Sequence, residues 1–338
     1  MPDPIPGGCR VVRRILIIGL LMAGSLGLAV AWWLHHPLPL AAPTLDLSIE
    51  PGTSPRAVAQ ASADAGADVN PFLLYWWFRL SGDARQIRAG SYELVTGVTP
   101  VSLLRMLVRG EESLRSVTLV EGWNWRQVRQ ALARAEAMKP ETQNLTDEAI
   151  MAALERPGEP PEGRFFPDTY TYAKGSSDLA VLRRALHAMD RKLDAAWAQR
   201  APDTPLKTPQ EALILASIVE KETGKPADRA LIAGVFTNRL RSGMLLQTDP
   251  TVIYGLGTSF DGNLRKRHLL ADTPWNTYTR AGLPPTPIAM PGAASLLAAV
   301  QPAQTKALYF VARGDGTSQF SATLDEHNRA VNKYQRGQ

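Results

Sequence analysis

Residues 211–224 read EALILASIVEKETG. From 212 to 219 every residue except Ser217 is apolar. At about 100° per residue these side chains cover nearly the whole circumference of a helix. The stretch therefore predicts a helix buried on most sides, with Gly224 as its stop. Its surroundings are mainly helical too. Candidate helices cover 146–154, 178–197, 209–222 and 227–241, and a last one covers 323–335. Short strands at 308–312 and 319–321 flank Gly314-Asp315-Gly316 as a hairpin.

The central helix also carries carboxylates. Glu211 and Glu222 share one face, and Glu220 points about 180° from Glu211, beside Leu213, Ala216 and Ser217. A carboxyl group among apolar neighbours loses hydration, which favours its protonated form. A protonated carboxyl near neutral pH is what general-acid cleavage of a glycosidic bond needs. The plainer reading makes Glu220 an ordinary glutamate at a frayed helix end. The helix offers no second carboxylate on the Glu220 face. A sugar-cleaving reading thus implies one carboxylate rather than the usual pair.

Two loops follow. Gln247-Thr248-Asp249-Pro250 reads as a helix start, with Asp249 as N-cap and Pro250 at the first position. Gln247 and Thr248 can present an amide and a hydroxyl to a sugar. Trp275-Asn276-Thr277-Tyr278 precedes a proline-rich run at 282–288, inside a loop-rich stretch at 257–290. A stiff polar and aromatic loop suits a cleft wall, and equally a packed surface loop.

Residues 15–34 form an uncharged run, ILIIGLLMAGSLGLAVAWWL, about 30 Å long as a helix and enough to span a bilayer core. Arg10, Arg13 and Arg14 precede it, and no Lys or Arg follows until Arg56. That asymmetry predicts a cytoplasmic N-terminus and an exported remainder. Ala29-Val30-Ala31 resembles a signal-peptide cleavage site, but the apolar run continues through it, which favours a retained anchor. Residues 35–43 read as a linker. Strands at 45–49 and 91–95, with helices at 56–65, 71–80 and 100–108, predict a small βααβ-type domain over 44–115. A further strand and helix are expected at 116–120 and 125–135. Tyr75-Trp76-Trp77-Phe78 reads as part of a core helix in preference to a sugar-stacking surface. For Trp123 and Trp125 both readings stay open.

Composition excludes several classes. With 338 residues, 45% hydrophobic and 20% charged, the chain holds about two folded domains rather than a disordered one. A net charge of +5, scattered along the chain, gives no case for nucleic acid. One cysteine, Cys9, rules out an internal disulfide or a multi-cysteine zinc site. The five histidines lack metal-ligand spacing, and there is no HExxH, Walker A loop or GxGxxG.

Four blocks occur together: EGRFFPDTY at 162–170, LASIVEKET at 215–223, LQTDPTVIYG at 246–255 and NTYTRAGLPP at 276–285. In this order and spacing the sequence resembles the endolytic murein transglycosylase, or YceG-like, family. The resemblance implies an α+β protein: a cytoplasmic tail (1–14), a single N-terminal transmembrane helix (15–34), a linker (35–43), a LysM-like βααβ domain (44–115) and a larger, mainly helical catalytic domain with short strands (116–338). For 44–115 the match lies in element order alone. It implies non-hydrolytic cleavage of the β-1,4 bond between N-acetylmuramic acid and N-acetylglucosamine, ending nascent strands at the inner membrane. The catalytic domain would be periplasmic and the partners peptidoglycan strands, the membrane and peptidoglycan synthases.

By the same resemblance the first glutamate of the IVEKET run, Glu220, is the acid. Gln247, Asp249, Asn276 and Tyr278 are substrate-side candidates, and Glu222 packs or pairs on the opposite side of its helix. The acid protonates the glycosidic oxygen. Its carboxylate then takes the proton of the muramic C6 hydroxyl, which closes on C1 to give a 1,6-anhydro end. The intramolecular nucleophile replaces a second carboxylate, and neither metal nor other cofactor is required. A non-catalytic peptidoglycan-binding scaffold and a water-using hydrolase are the alternatives.

Overall fold

The computed structural model describes residues 8–222 and 225–337, and of residues 8–15 the backbone alone. The side chains of Cys9, Arg10, Arg13 and Arg14, and the expected stop at Gly224, lie outside what is described. The chain divides into two units, Met1–Leu114 and Arg115–Gln338.

The first unit begins with α1 (Gly8–His35). Its Leu16–His35 stretch is long and apolar enough to cross a membrane, and none of it is buried by the rest of the chain. Then follow β1 (Thr44–Ile49), α2 (Pro55–Asp64), α3 (Pro71–Leu80), β2 (Gly90–Val95) and α4 (Pro100–Arg109). Ser54, Asn70 and Thr99 cap the three helices α2 to α4 with their side chains, each just before a proline in the first turn. The strands pair antiparallel, with Leu45 opposite Leu94 and Leu47 opposite Tyr92. Alternation along β1 sends Leu45, Leu47 and Ile49 inward. They meet Leu74, Phe78, Leu103 and Leu107 from α3 and α4. Helix α3 belongs to this core on one side only. Leu74 and Phe78 are buried, whereas Phe72, Leu73, Trp76 and Leu80 face outward.

The second unit contains β3 (Leu114–Thr118), which starts at the boundary, α5 (Trp125–Arg134), α6 (Asp147–Ala153), β4 (Thr169–Ala173), α7 (Asp178–Ala198), α8 (Pro209–Glu222) and α9 (Pro226–Arg241). The chain continues through α10 (Asp249–Leu256), α11 (Lys266–Leu270), α12 (Ala293–Val300), β5 (Tyr309–Ala312), β6 (Ser318–Ser321) and α13 (Leu324–Val331). β3 pairs with β4, and β5 pairs antiparallel with β6. Helix α8 lies at the centre, packed by α7, α9, α10 and α12, with every residue from Ala212 to Val219 buried. A second cluster gathers Val128, Ile150, Phe165, Leu182 and Leu186.

Several local features differ from the expectation or add to it. The strand expected at 116–120 is observed at Leu114–Thr118. Its partner β4, Thr-Tyr-Thr-Tyr-Ala, and helix α12 were not anticipated. Trp125 is a core residue whose ring stacks on Phe165 with centroids 4.8 Å apart. Because α8 is enclosed all round, Leu215→Ala should leave an unfilled void and cost about 2–5 kcal/mol. Chemical denaturation in detergent measures this as a lowered midpoint.

Candidate active site

The last turn of α8 sends successive side chains to different places. Glu220 turns toward α12 and α9. Its Oε2 accepts a hydrogen bond from the Gly292 N–H, 2.9 Å away, at the start of α12. Its Oε1 lies 3.8 Å from Nη2 of Arg229, and the side chain is 7% exposed. Glu220 thus accepts a hydrogen bond from the cap of α12 and faces a guanidinium of α9.

Glu222 turns into a cavity of about 490 Å³, shared with Arg239, Gln247, Asp249, Tyr278 and His327. Burial pushes its pKa up from 4.5 to about 7. The Thr248 hydroxyl and the Arg239 charge oppose that rise, and the nearby Asp249 charge adds to it. The Thr248 hydroxyl donates to Oε1.

The loop before α10 is held from below. Gln247 adopts φ 49°, the left-handed region, and its N–H bonds the Thr277 carbonyl at 3.1 Å. The Thr248 N–H bonds the Thr277 hydroxyl at 3.1 Å. Thr248, not Asp249, occupies the cap position of α10, and its hydroxyl makes no cap bond because it serves Glu222. Asp249 is the first helical residue, and its carboxylate accepts from the Tyr278 hydroxyl at 2.6 Å. Burial, and then that carboxylate, push the Tyr278 phenol pKa upward, so it stays a donor. Arg239 is buried and donates to the carbonyls of Leu246 and Leu308, both at 2.7 Å, which fixes the approach to Gln247.

Asn276 has a different place from the other three candidates. It is fully buried. Its Nδ2 donates to the carbonyls of His268, Leu269 and Ala271, and its Oδ1 accepts the Tyr278 N–H at 2.8 Å. It braces the loop that carries Tyr278 and presents nothing to a ligand. Gln247, Asp249 and Tyr278 are brought together with Glu222, and Glu220 is not among them.

A second cavity, of about 700 Å³, lies in the same unit. Trp125, Glu162, Lys221, Tyr254, Phe260 and Trp275 are among its lining residues. The rings of Tyr254 and Trp275 meet edge-on with centroids 5.5 Å apart. Burial pushes the Glu162 pKa up to about 7 despite hydrogen bonds from the Trp125 N–H, the Tyr254 hydroxyl and the Gly163 N–H. The Trp125 N–H reaches both carboxyl oxygens, at 3.0 and 3.1 Å. Lys221 and Pro250 line this cavity, while their chain neighbours Glu222 and Asp249 line the other.

Sequence reasoning left Glu222 as a packing residue and gave Glu162, Arg239 and His327 no role. Two glutamates two positions apart on a helix point about 200° apart. The pattern therefore shows two opposed carboxyls, but not which one meets a void.

The sequence profile of the YceG-like family matches residues 47–333, and the chain belongs to that family. Among similar proteins is the endolytic murein transglycosylase of Bacillus subtilis (strain 168), 31% identical over 308 residues, covering 86% of this chain and 85% of that one. The endolytic murein transglycosylase of Streptococcus pneumoniae (serotype 2, strain D39) is 26% identical over 360 residues. That match covers 95% of this chain and 64% of the pneumococcal protein. The crystal structure of a YceG-like protein from Listeria monocytogenes superposes with a TM-score of 0.53 at 26% identity, covering 85% of this chain and 98% of that one.

The two raised carboxyls have a thermodynamic consequence. Each binds its proton more tightly in the folded chain than in the unfolded one. Their contribution to stability is full below the ordinary value of 4.5 and is lost as pH rises through about 7. The midpoint of the wild type relative to the Glu162→Gln, Glu222→Gln double variant should therefore fall over that interval. Thermal denaturation at several pH values reads the difference.

Proposed function

We propose that this chain is a membrane-anchored endolytic murein transglycosylase whose proton donor is a carboxyl of the last turn of α8: Glu220 by the resemblance of the IVEKET block, or Glu222 by its place in a cavity. The names of its relatives support the reaction class. The observation that favours Glu222 is its setting. It is a carboxyl whose pKa is raised to about 7, in a cavity shared with Asp249, Gln247 and Tyr278. Glu162 is raised as well, but its oxygens are taken up by Trp125, Tyr254 and Gly163. That set of contacts fits a brace for the Trp125 turn. A non-catalytic scaffold would have no use for a protonated carboxyl in an open cavity.

With Glu222 as the acid, its protonated carboxyl gives a proton to the oxygen of the muramic acid–glucosamine bond as the C1–O bond breaks. Positive charge develops at C1, and the Asp249 carboxylate, oriented by Tyr278, lies in the same cavity to offset it. The muramic C6 hydroxyl attacks C1 and passes its proton to the Glu222 carboxylate. One C–O bond forms as another breaks, the acid is regenerated, and no water is consumed. The Gln247 amide is a hydrogen-bonding group for the sugar, and Asn276 acts through Tyr278 as a positioning residue.

The rest of the chain is assigned in the same spirit. Residues 15–34 anchor it in the inner membrane, with residues 1–14 in the cytoplasm and the remainder periplasmic. Arg10, Arg13 and Arg14 on the N-terminal side support that orientation. Residues 35–43 link the anchor to the next domain. The βααβ order and the antiparallel β1–β2 pair support a LysM-like domain at 44–115. Residues 116–338 form the catalytic domain, acting on nascent strands beside the synthases.

Purified glycan strands, with product ends read by mass spectrometry, test the assignment. If Glu222 is the acid, Glu222→Gln should lower the yield of anhydro ends by about 100-fold or more while the protein stays folded. Glu220→Gln should then keep cleavage but lose about 1–3 kcal/mol of stability. The reverse pattern in folded proteins makes Glu220 the acid, and hydrated reducing ends would make the enzyme a hydrolase. With Glu222 as the acid, wild-type cleavage should also decline above about pH 7, as Glu222 loses its proton.

A further inference from the structure

We infer that the outward face of α3 rests in the headgroup layer of the membrane that α1 crosses. The inference builds on the assignment of α1 as an anchor. Phe72, Leu73, Trp76 and Leu80 are 65%, 50%, 42% and 77% exposed. On a helix these positions fall within a stripe about 100° wide. Leu74 and Phe78 point the other way and are buried, so the stripe is not needed by the core. Scattered exposed apolar residues are ordinary, but four on one helix face are a surface that wants cover. Trp, Phe and Leu along one face, beside exposed Arg79, match a helix lying in a membrane interface, where a cation meets lipid phosphate.

The connection to α1 argues for lipid as the occupant. Trp32 and Trp33 lie near the end of the span, at the place where indole rings settle in the interface. The chain beyond His35 is then held by pairing. The Leu38 N–H bonds the Val98 carbonyl at 2.8 Å, the Asp68 N–H bonds Pro39 at 2.8 Å, and the Ala41 N–H bonds Gly66 at 3.0 Å. Pro39 is four residues from the end of α1, and its partner Asp68 is four residues from Phe72. Each gap spans at most about 14 Å. Helix α1 also packs on α4, and Trp77 of α3 donates to the Pro100 carbonyl at the start of α4. The stripe is thus held within reach of the bilayer surface by hydrogen-bonded structure.

The test uses the full chain with Cys9→Ser and one new cysteine at a time: Leu73→Cys, Leu80→Cys, Gln60→Cys or Leu26→Cys. All four positions are exposed, so a label disturbs no core. Each protein is labelled with bimane and reconstituted in phosphatidylcholine–phosphatidylglycerol vesicles containing a spin-labelled lipid. Label 26 reports the span itself. Labels 73 and 80 should be quenched at least about three times as strongly as label 60 on α2. Quenching at 26, with 73 and 80 no different from 60, overturns the inference and leaves the anchor standing. An unquenched label 26 removes the anchor and the inference with it. Labels 73 and 80 shielded by added glycan strands and not quenched by lipid would make the face a sugar platform, which also overturns it.

Discussion

Helix α8 has no face to give to water, and the second unit is arranged around that constraint. Apolar side chains on every side require cover on every side, and α7, α9, α10 and α12 provide it. Between its ends such a helix takes one polar side chain, Ser217, whose hydroxyl is bonded to the Ile214 carbonyl. Its carboxyls therefore sit in its end turns, Glu211 in the first and Glu220 and Glu222 in the last. Enclosure raises the pKa of one of them, Glu222, and a catalytic acid needs that shift. Packing and candidate chemistry share one cause.

The fate of each carboxyl depends on its neighbours more than on its depth. Glu220 has a guanidinium nearby and a backbone donor at the start of α12. Glu162 has Trp125, Tyr254 and Gly163. Glu222 has a threonine hydroxyl and a nearby negative charge. Glu162, with several donors, is held as part of the framework, whereas Glu220 accepts from Gly292 and Glu222 from Thr248, and these two differ in the charge beside them.

The sequence made the elements legible where periodicity was strong. The bounds of α8 and the βααβ order of the first unit could be read from apolar spacing, caps and prolines. β4 was missed because Thr-Tyr-Thr-Tyr alternates polarity too weakly to stand out from a loop, and its partner lies some fifty residues away. The candidate site was legible as a set of loops but not as a geometry. Gln247, Asp249 and Tyr278 converge on one cavity, while Asn276 in the same block disappears beneath it. The surroundings of Glu220 depend on α12, whose cap residue Gly292 donates to it and which the sequence does not announce.

The stretch after α1 has one more consequence. Read as a sequence, residues 35–43 look like a coil, and a coil would let the domain wander above the bilayer. The backbone pairing of Leu38, Pro39, Leu40 and Ala41 removes that slack. In an anchored chain this stretch leaves only residues 36 and 37 between the end of α1 and the first residue paired with the domain, Leu38. Inserted residues would add slack between α1 and that pairing, so the length of this stretch sets how tightly the domain follows its anchor.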